Sequence, residues 1–348
     1  MFYIRPITRD DLPAVFALSE LTGTGLTTLP ANRDRLANRI ERSLRSFGND
    51  ASAAEACYVF VLVEAEHGRV AGIAAIEAAV GLAEPWYNFR VGTLVHASRA
   101  LNVYVSVPTL FLANDHTGHT ELCSLFLDQA YRRGRNGSLL SKSRLLFVAD
   151  FPDRFAAKLI AELRGRSDAA GRSPFWEGLG RHFFAIDYSA ADFLTGIGER
   201  AFIAELMPRH PVYANLLPDA ARAAIGEVHD DTRAARALLE QEGFRFEGYV
   251  DIFDAGPTVE CHRDNVHAIR QSAIMPVVLE DADPVPDSLA PQVPWLVSNR
   301  RFEGYRAIVA MAPPRLARFP LLPYAATLLG IGESDMVRAV QLAPRDRH

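Results

Sequence analysis

Cysteine is scarce in this chain of 348 residues: Cys57, Cys123 and Cys261 are all there are, and they lie far apart. An odd, scattered set argues against a disulfide framework and against a cysteine-type zinc site, and points to a reducing, cytoplasmic compartment. No apolar run reaches the roughly eighteen residues of a membrane span, so none is expected. The opening MFYIRPITRDD carries charge from Arg5 onward and has no apolar leader segment, so no signal peptide is expected. An excess of positive charge is missing as well. With a net charge of −5 and no basic stripe, a nucleic-acid partner is not expected. There is no G-x-S-x-G elbow to carry a nucleophilic serine. What is present is ordinary globular material, 49% hydrophobic and 23% charged, enough for a core of normal size. The length suits two or three packed units.

Local patterns predict a mixed α/β chain. A strand over 2–5 precedes a helix whose apolar face is Leu12, Val15, Leu18 and Leu21, stopped by Thr22-Gly23-Thr24-Gly25. A second helix starts near Asn32, with Leu36, Ile40 and Leu44 on one face. Apolar runs at 57–64 and 69–80, joined by Glu66-His67-Gly68, read as a hairpin. Residues 81–120 read as a long turn-rich segment. A strand over 121–128, a basic turn from Arg132 to Gly137 and a helix over 138–150 come next. Then follow a strand over 157–163, a short helix near 174–179 and a strand over 181–188. Helices are expected over 191–206, 218–226 and 232–241, and a strand over 244–254. The order through residue 188 is similar to that of a GNAT-type acyl-CoA N-acyltransferase domain. The expected architecture is therefore α/β (α+β). A GNAT-like acyl-CoA-binding domain covers 1–190, and a second, partial unit 191–262. A small, mainly β region covers 263–348, rich in proline at Pro276, Pro284, Pro286, Pro291 and Pro294.

Three places carry candidate chemistry. Arg132-Arg133-Gly134-Arg135-Asn136-Gly137 lies between a predicted strand and a predicted helix, where backbone amides and arginines together suit a phosphate. Read without its flanks, the same run is equally a basic surface turn. His96, His116, His119 and His229 stand in or beside predicted loops. His116-x-x-His119 lacks an evident third ligand, which favours hydrogen bonding or substrate contact over a metal. His229 precedes Asp230-Asp231-Thr232, where an aspartate suits a helix cap, and its ring titrates in the range that acyl transfer needs. Cys123 lies inside a predicted buried strand, so direct attack of an amine on a thioester is preferred to a covalent route.

The chain resembles the arginine N-succinyltransferase family. The resemblance is carried by GLTTLPAN at 25–32, PWYNFRVGTLVHAS at 85–98, PTLFLANDHTG at 108–118, ELCSLFLD at 121–128, LLSKSR at 139–144 and EGFRFEGYVDIFDAGPTVEC at 242–261, among other strings. Together they cover nearly all of 1–262. It implies transfer of succinyl from succinyl-CoA to the α-amino group of L-arginine, with succinyl-CoA as co-substrate and no permanently bound cofactor. His229 falls on the family's proton donor and Leu125 on its acyl-CoA contact. The GNAT likeness puts the CoA phosphates on Arg132, Arg135 and Gly137. The loop departs from the usual R/Q-x-x-G-x-G/A pattern, with an arginine at 135 and a glycine one place earlier. Asn114, Asp115 and His116 are candidate substrate contacts. A homo-oligomer, or a heteromer with a paralogous subunit, is also implied. Two alternatives stay open at this point: an ornithine-preferring enzyme, and a non-catalytic acyl-CoA-binding subunit.

Overall fold

A computed structural model of the chain describes residues 1–23, 28–168, 170–196, 201–280 and 291–342. Strand β1 (Phe2–Pro6) is followed by α1 (Leu12–Glu20) and α2 (Arg33–Phe47). The Asn32 side chain accepts from the Arg35 amide at 3.0 Å and so caps α2. Leu36, Ile40 and Phe47 bury one face of that helix, each such burial contributing about 1.5–3 kcal/mol. The next strands are β2 (Cys57–Glu64), β3 (Arg69–Glu77), β4 (Asn88–Ser98), β5 (Val103–Ala113) and β6 (Thr120–Leu127). Helix α3 (Asn136–Asp150) leads to β7 (Lys158–Glu162). A helical stretch contains α4 (Arg181–Phe184), α5 (Tyr188–Gly196), α6 (Ala201–Leu206) and α7 (Asp219–Ala224), with the short β8 (Val212–Tyr213) between the last two. Helix α8 (Arg233–Gln241), β9 (Arg245–Val250) and β10 (Pro257–His262) follow. The C-terminal part holds α9 (His267–Gln271), β11 (Ala273–Leu279), β12 (Val293–Ser298), β13 (Ala307–Ala312), β14 (Phe319–Leu321), α10 (Pro323–Leu329) and β15 (Met336–Gln341).

The described strands form one sheet in the order β14-β11-β15-β12-β13-β1-β2-β3-β6-β7-β10-β9-β4-β5-β8. β2 and β3 are buried on both faces, which is why their sequences read as continuous apolar runs rather than alternating ones. Helix α3 is buried along most of its length, with Leu140, Phe147 and Val148 inside the main core. The C-terminal region is pinned to it. Tyr305 donates to the Ser143 carbonyl at 2.7 Å, and Arg300 and Arg338 both pair with Asp150. A second core, around Trp176, Phe184, Tyr188 and Phe253, lies under α4 and α5.

The strands at the end of the expected second unit join the same sheet. β10 pairs antiparallel with β7, from Thr258 opposite Glu162 to His262 opposite Lys158, and β9 lies beyond it. Residues 245–262 therefore continue the sheet that contains β1, β10 lying along β7 and β9 linking it to β4. The turn-rich reading of 81–120 is corrected. β4 and β5 pair over eleven positions, from Asn88 opposite Ala113 to Ser98 opposite Val103. Much of this hairpin is exposed on both faces, so it lacks the buried alternation that marks a strand in sequence. The strand expected over 181–188 is helical at Arg181–Phe184, ending at Ala185 with φ +55°, because Phe184 stacks on Trp176 in the second core. The strand expected to reach 254 stops at Val250, where Asp251 turns the chain by accepting from the Phe253 and Asp254 amides. Thr24 and Gly25 of the predicted helix stop, part of GLTTLPAN, residues 197–200 of the predicted 191–206 helix, and Pro284 and Pro286 lie outside the described residues.

Candidate active site

β6 and β7 run parallel and pair only at Thr120 opposite Leu159 and Glu121 opposite Ile160. Past those two pairs the strands part company. β6 continues along β3, and β7 along β10. The gap between them opens into a cavity of about 660 Å³, lined by residues 121–127 on one side, 161–164 on the other and Ala234, Ala235 and Leu238 of α8. A strand that loses its neighbour presents main-chain donors and acceptors to whatever lies beside it, so an extended chain can be added there as a strand would be.

A bulge sits in the same wall. Ile73 of β3 faces Phe126 and Ala75 faces Cys123, so Ser124 and Leu125 together stand opposite Ala74. Ser124 takes the left-handed conformation, φ +52°. Two arginines hold this geometry. Arg39 Nη1 donates to Ser124 Oγ at 2.7 Å. Arg144, fully buried, donates from Nη1 to the Ala75 and Cys123 carbonyls at 3.1 and 3.2 Å. Burial lowers the Arg144 pKa to about 10, so it remains a cation at neutral pH. Leu125 lies on the cavity wall beside this bulge.

At the end of β6 the basic turn also lines the cavity, with Arg132, Arg133, Arg135 and Gly137 among its walls. Gly134 carries the left-handed turn, φ +59°, in place of the glycine expected one position later. Arg132 Nε donates to the Leu127 carbonyl at 3.0 Å, tying the turn to β6. No side chain caps the N-terminus of α3, although its Asn136 amide donates to the Arg133 carbonyl at 3.4 Å; a helix end of this kind suits an anion.

His229 stands at the start of α8. Its main-chain amide donates to the Arg164 carbonyl at 2.9 Å, and Gly165 forms a β-bridge with Val228. Its Nδ1 accepts from the Asp231 amide at 3.2 Å, so the neutral ring carries its proton on Nε2. Burial first, then the Arg164 guanidinium, lower its pKa below the ordinary 6.5. Its neighbours Asp231 and Thr232 line the cavity.

The cavity lining also carries a group of carboxyls. These are Glu162, Asp251 and Asp254, beside Tyr188. Asp254 accepts from the Gly165 and Gly256 amides and from the Tyr188 hydroxyl. Burial, and then the proximity of Asp251, hold the Glu162 and Asp254 carboxyls well above the usual range. Sequence reasoning missed this group. Its signals were a charge closing an otherwise apolar strand, at Glu162, and an Asp-x-x-Asp set in an apolar string, at Asp251 and Asp254.

Asn114, Asp115 and His116 do not line this cavity; they are taken up by a neighbouring network. His116 is 1% exposed, with Nδ1 2.7 Å from Asn88 Oδ1 and Nε2 3.1 Å from Glu260. Asp115 accepts from the Tyr249 hydroxyl at 2.7 Å, and Asn114 donates to the Trp86 carbonyl at 2.5 Å. These polar groups lock the base of the β4–β5 hairpin to β9 and β10. Cys123 does reach the cavity, but burial, followed by Glu121, raises its thiol above the ordinary range and disfavours a nucleophilic thiolate.

Comparison with known proteins identifies the family. The family model described as arginine N-succinyltransferase beta subunit matches residues 2–268, and that of the C-terminal domain of the same subunit matches 277–341. An arginine N-succinyltransferase of Yersinia pseudotuberculosis is 52% identical, over 98% of each chain. One from Salmonella agona is 50% identical, over 100% of this chain and 99% of its own. The solved arginine/ornithine succinyltransferase subunit AI of Pseudomonas aeruginosa superposes with a TM-score of 0.89 at 35% identity, over 99% of both chains. The mixed α/β fold agrees with the expected fold class. With more than half its length inside one family model, and relatives matched from end to end, the chain belongs to the arginine N-succinyltransferase family.

Proposed function

We propose that this chain transfers the succinyl group of succinyl-CoA to the α-amino group of L-arginine, by direct attack of the amine on the thioester. The observation that carries the reading is the cavity where β6 parts from β7, whose walls hold both the arginines of the 132–135 turn and the carboxyls of Glu162, Asp251 and Asp254. That pairing of charges suits a polyanionic acyl carrier and a cationic acceptor meeting in one cavity.

In this reading the CoA phosphates rest on Arg132, Arg135 and the amides around Gly137. The pantetheine arm lies along β6 and pairs with the main chain at Leu125, and β6 amides polarise the thioester carbonyl. The new C–N bond replaces the C–S bond. His229 hands its Nε2 proton to the leaving sulfur and is restored by the proton the amine loses. The carboxyls of Glu162 and Asp251 receive the acceptor's cationic group, whose charge favours the ionised form of Glu162 that burial opposes. Cytoplasmic location and assembly as a homo-oligomer, or with a paralogous subunit, accompany the reading. Among the described residues no helix is long and apolar enough to cross a membrane.

The product identifies the reaction. Mass spectrometry after incubation with succinyl-CoA and L-arginine is expected to show a succinyl group on the α-nitrogen. A product succinylated on the guanidinium, or none, contradicts the proposal.

A further inference from the structure

We infer that Arg164, at the end of the strand that forms one wall of the cavity, is the receptor for a substrate carboxylate. The inference rests on the function proposed above and deepens it. Arg164 lines the cavity directly after Glu162 and Leu163. Its Nε is buried and has no hydrogen-bond partner, while Nη2 donates to Ser167 Oγ at 3.1 Å. No carboxylate among the described residues forms an ion pair with it. The nearby Asp254 is committed to the Gly165 and Gly256 amides and to Tyr188. A buried, charged donor without an acceptor is costly, and a protein that retains one in a cavity wall has a place ready for an anion.

The position is the one the chemistry calls for. The Arg164 carbonyl accepts from the His229 amide, so the two residues are fixed to each other. Its guanidinium acts on both the His229 ring and the Tyr188 hydroxyl, favouring the uncharged imidazole and opposing the hydroxyl's raised pKa. A cation here therefore sits beside His229, at the reacting centre of the proposed function. Two carboxylates come close to that centre in the proposed reaction. One ends the succinyl group, two methylenes from the thioester carbonyl. The other is the α-carboxylate of the amino acid, one carbon from the attacking nitrogen. A guanidinium reads either in a forked pair of hydrogen bonds.

The test compares wild type, Arg164→Ala and Arg164→Lys with matched ligands. Succinyl-CoA is set against butyryl-CoA, which has a methyl in place of the carboxylate. L-Arginine is set against agmatine, which lacks the α-carboxylate. If the succinyl group is read, Arg164→Ala lowers the kcat/KM preference for succinyl-CoA over butyryl-CoA by about 10-fold or more and leaves the arginine-to-agmatine ratio unchanged. If the acceptor is read, the second ratio falls and the first stays. Arg164→Lys, which keeps the charge and loses the fork, gives a smaller loss in the same ratio. Calorimetric titration of the four ligands reads the same ratios without turnover. It separates a failure of this inference from a failure of the proposed reaction. Both ratios within twofold of wild type, in kinetics and in binding, with folding intact by thermal melting, overturn the assignment.

Discussion

Arg144 Nη1 lies 3.2 Å from the carbonyl oxygen of Cys123 and joins the middle of α3 to the strand at the cavity wall. The same nitrogen reaches Ala75 across the sheet, so one side chain satisfies carbonyls on both strands of the bulge. The bulge lies in the cavity wall, so α3, which begins at the basic turn, supports that wall as well.

Replacing Arg144 by alanine leaves those two buried carbonyls without donors. The expected cost is about 3 kcal/mol in chemical denaturation, from a penalty of roughly 1–3 kcal/mol per unpaired group. Acyl-CoA affinity falls with it. A variant as stable as wild type, with unchanged acyl-CoA binding, removes Arg144 from the support of the bulge.

A second buried cation tests the joint between α3 and α8. Lys142 Nζ is 2.7 Å from Glu242 Oε1, both side chains are almost fully buried, and Glu242 also accepts from the Ala268 amide. Glu242→Ala strands the lysine charge and is expected to cost about 3–5 kcal/mol. The double replacement Lys142→Met with Glu242→Leu removes both charges and is expected to cost less than Glu242→Ala alone. The reverse order in urea midpoints contradicts this account.

The strands β2 and β6 and the helices α2, α3 and α8 were legible in the sequence because burial imposes a period there: continuous apolar runs in the central strands, a 3.6-residue face on α2. The β4–β5 hairpin was not, since exposed strands such as the stretch around Leu101 and Tyr104 carry no burial pattern. The basic turn from Arg132 to Gly137 was legible as a turn between a strand and a helix. Glu162, Arg164 and Asp251 were not, because only the parting of β6 from β7 and the return of β10 bring them to one cavity. His116 stands in a polar loop in the sequence, while in the fold Asn88 and Glu260, far away along the chain, close around it.

That network makes a prediction for acid. The His116 hydrogen bond, aided by Lys158, holds the Glu260 carboxyl down at about 2, from an ordinary 4.5. A folded-state pKa below the unfolded one means that Glu260 stabilises the fold above about 4.5, and that this contribution drains away as pH falls toward 2. Glu260→Gln is expected to lower stability at pH 7 and to flatten its decline between pH 5 and 2. Parallel curves for variant and wild type over that window contradict the assignment.

His229→Ala is expected to lower kcat by about 100- to 10,000-fold with little effect on melting temperature, as loss of a general acid–base group does. Equal turnover removes the imidazole from the proton path.

The central claim is tested most directly by thiol release from succinyl-CoA in the presence of L-arginine, of L-ornithine, or of no amine. The account predicts release that depends on arginine, is faster than with ornithine and is absent with acetyl-CoA. Binding of succinyl-CoA without release in the presence of any amine contradicts it.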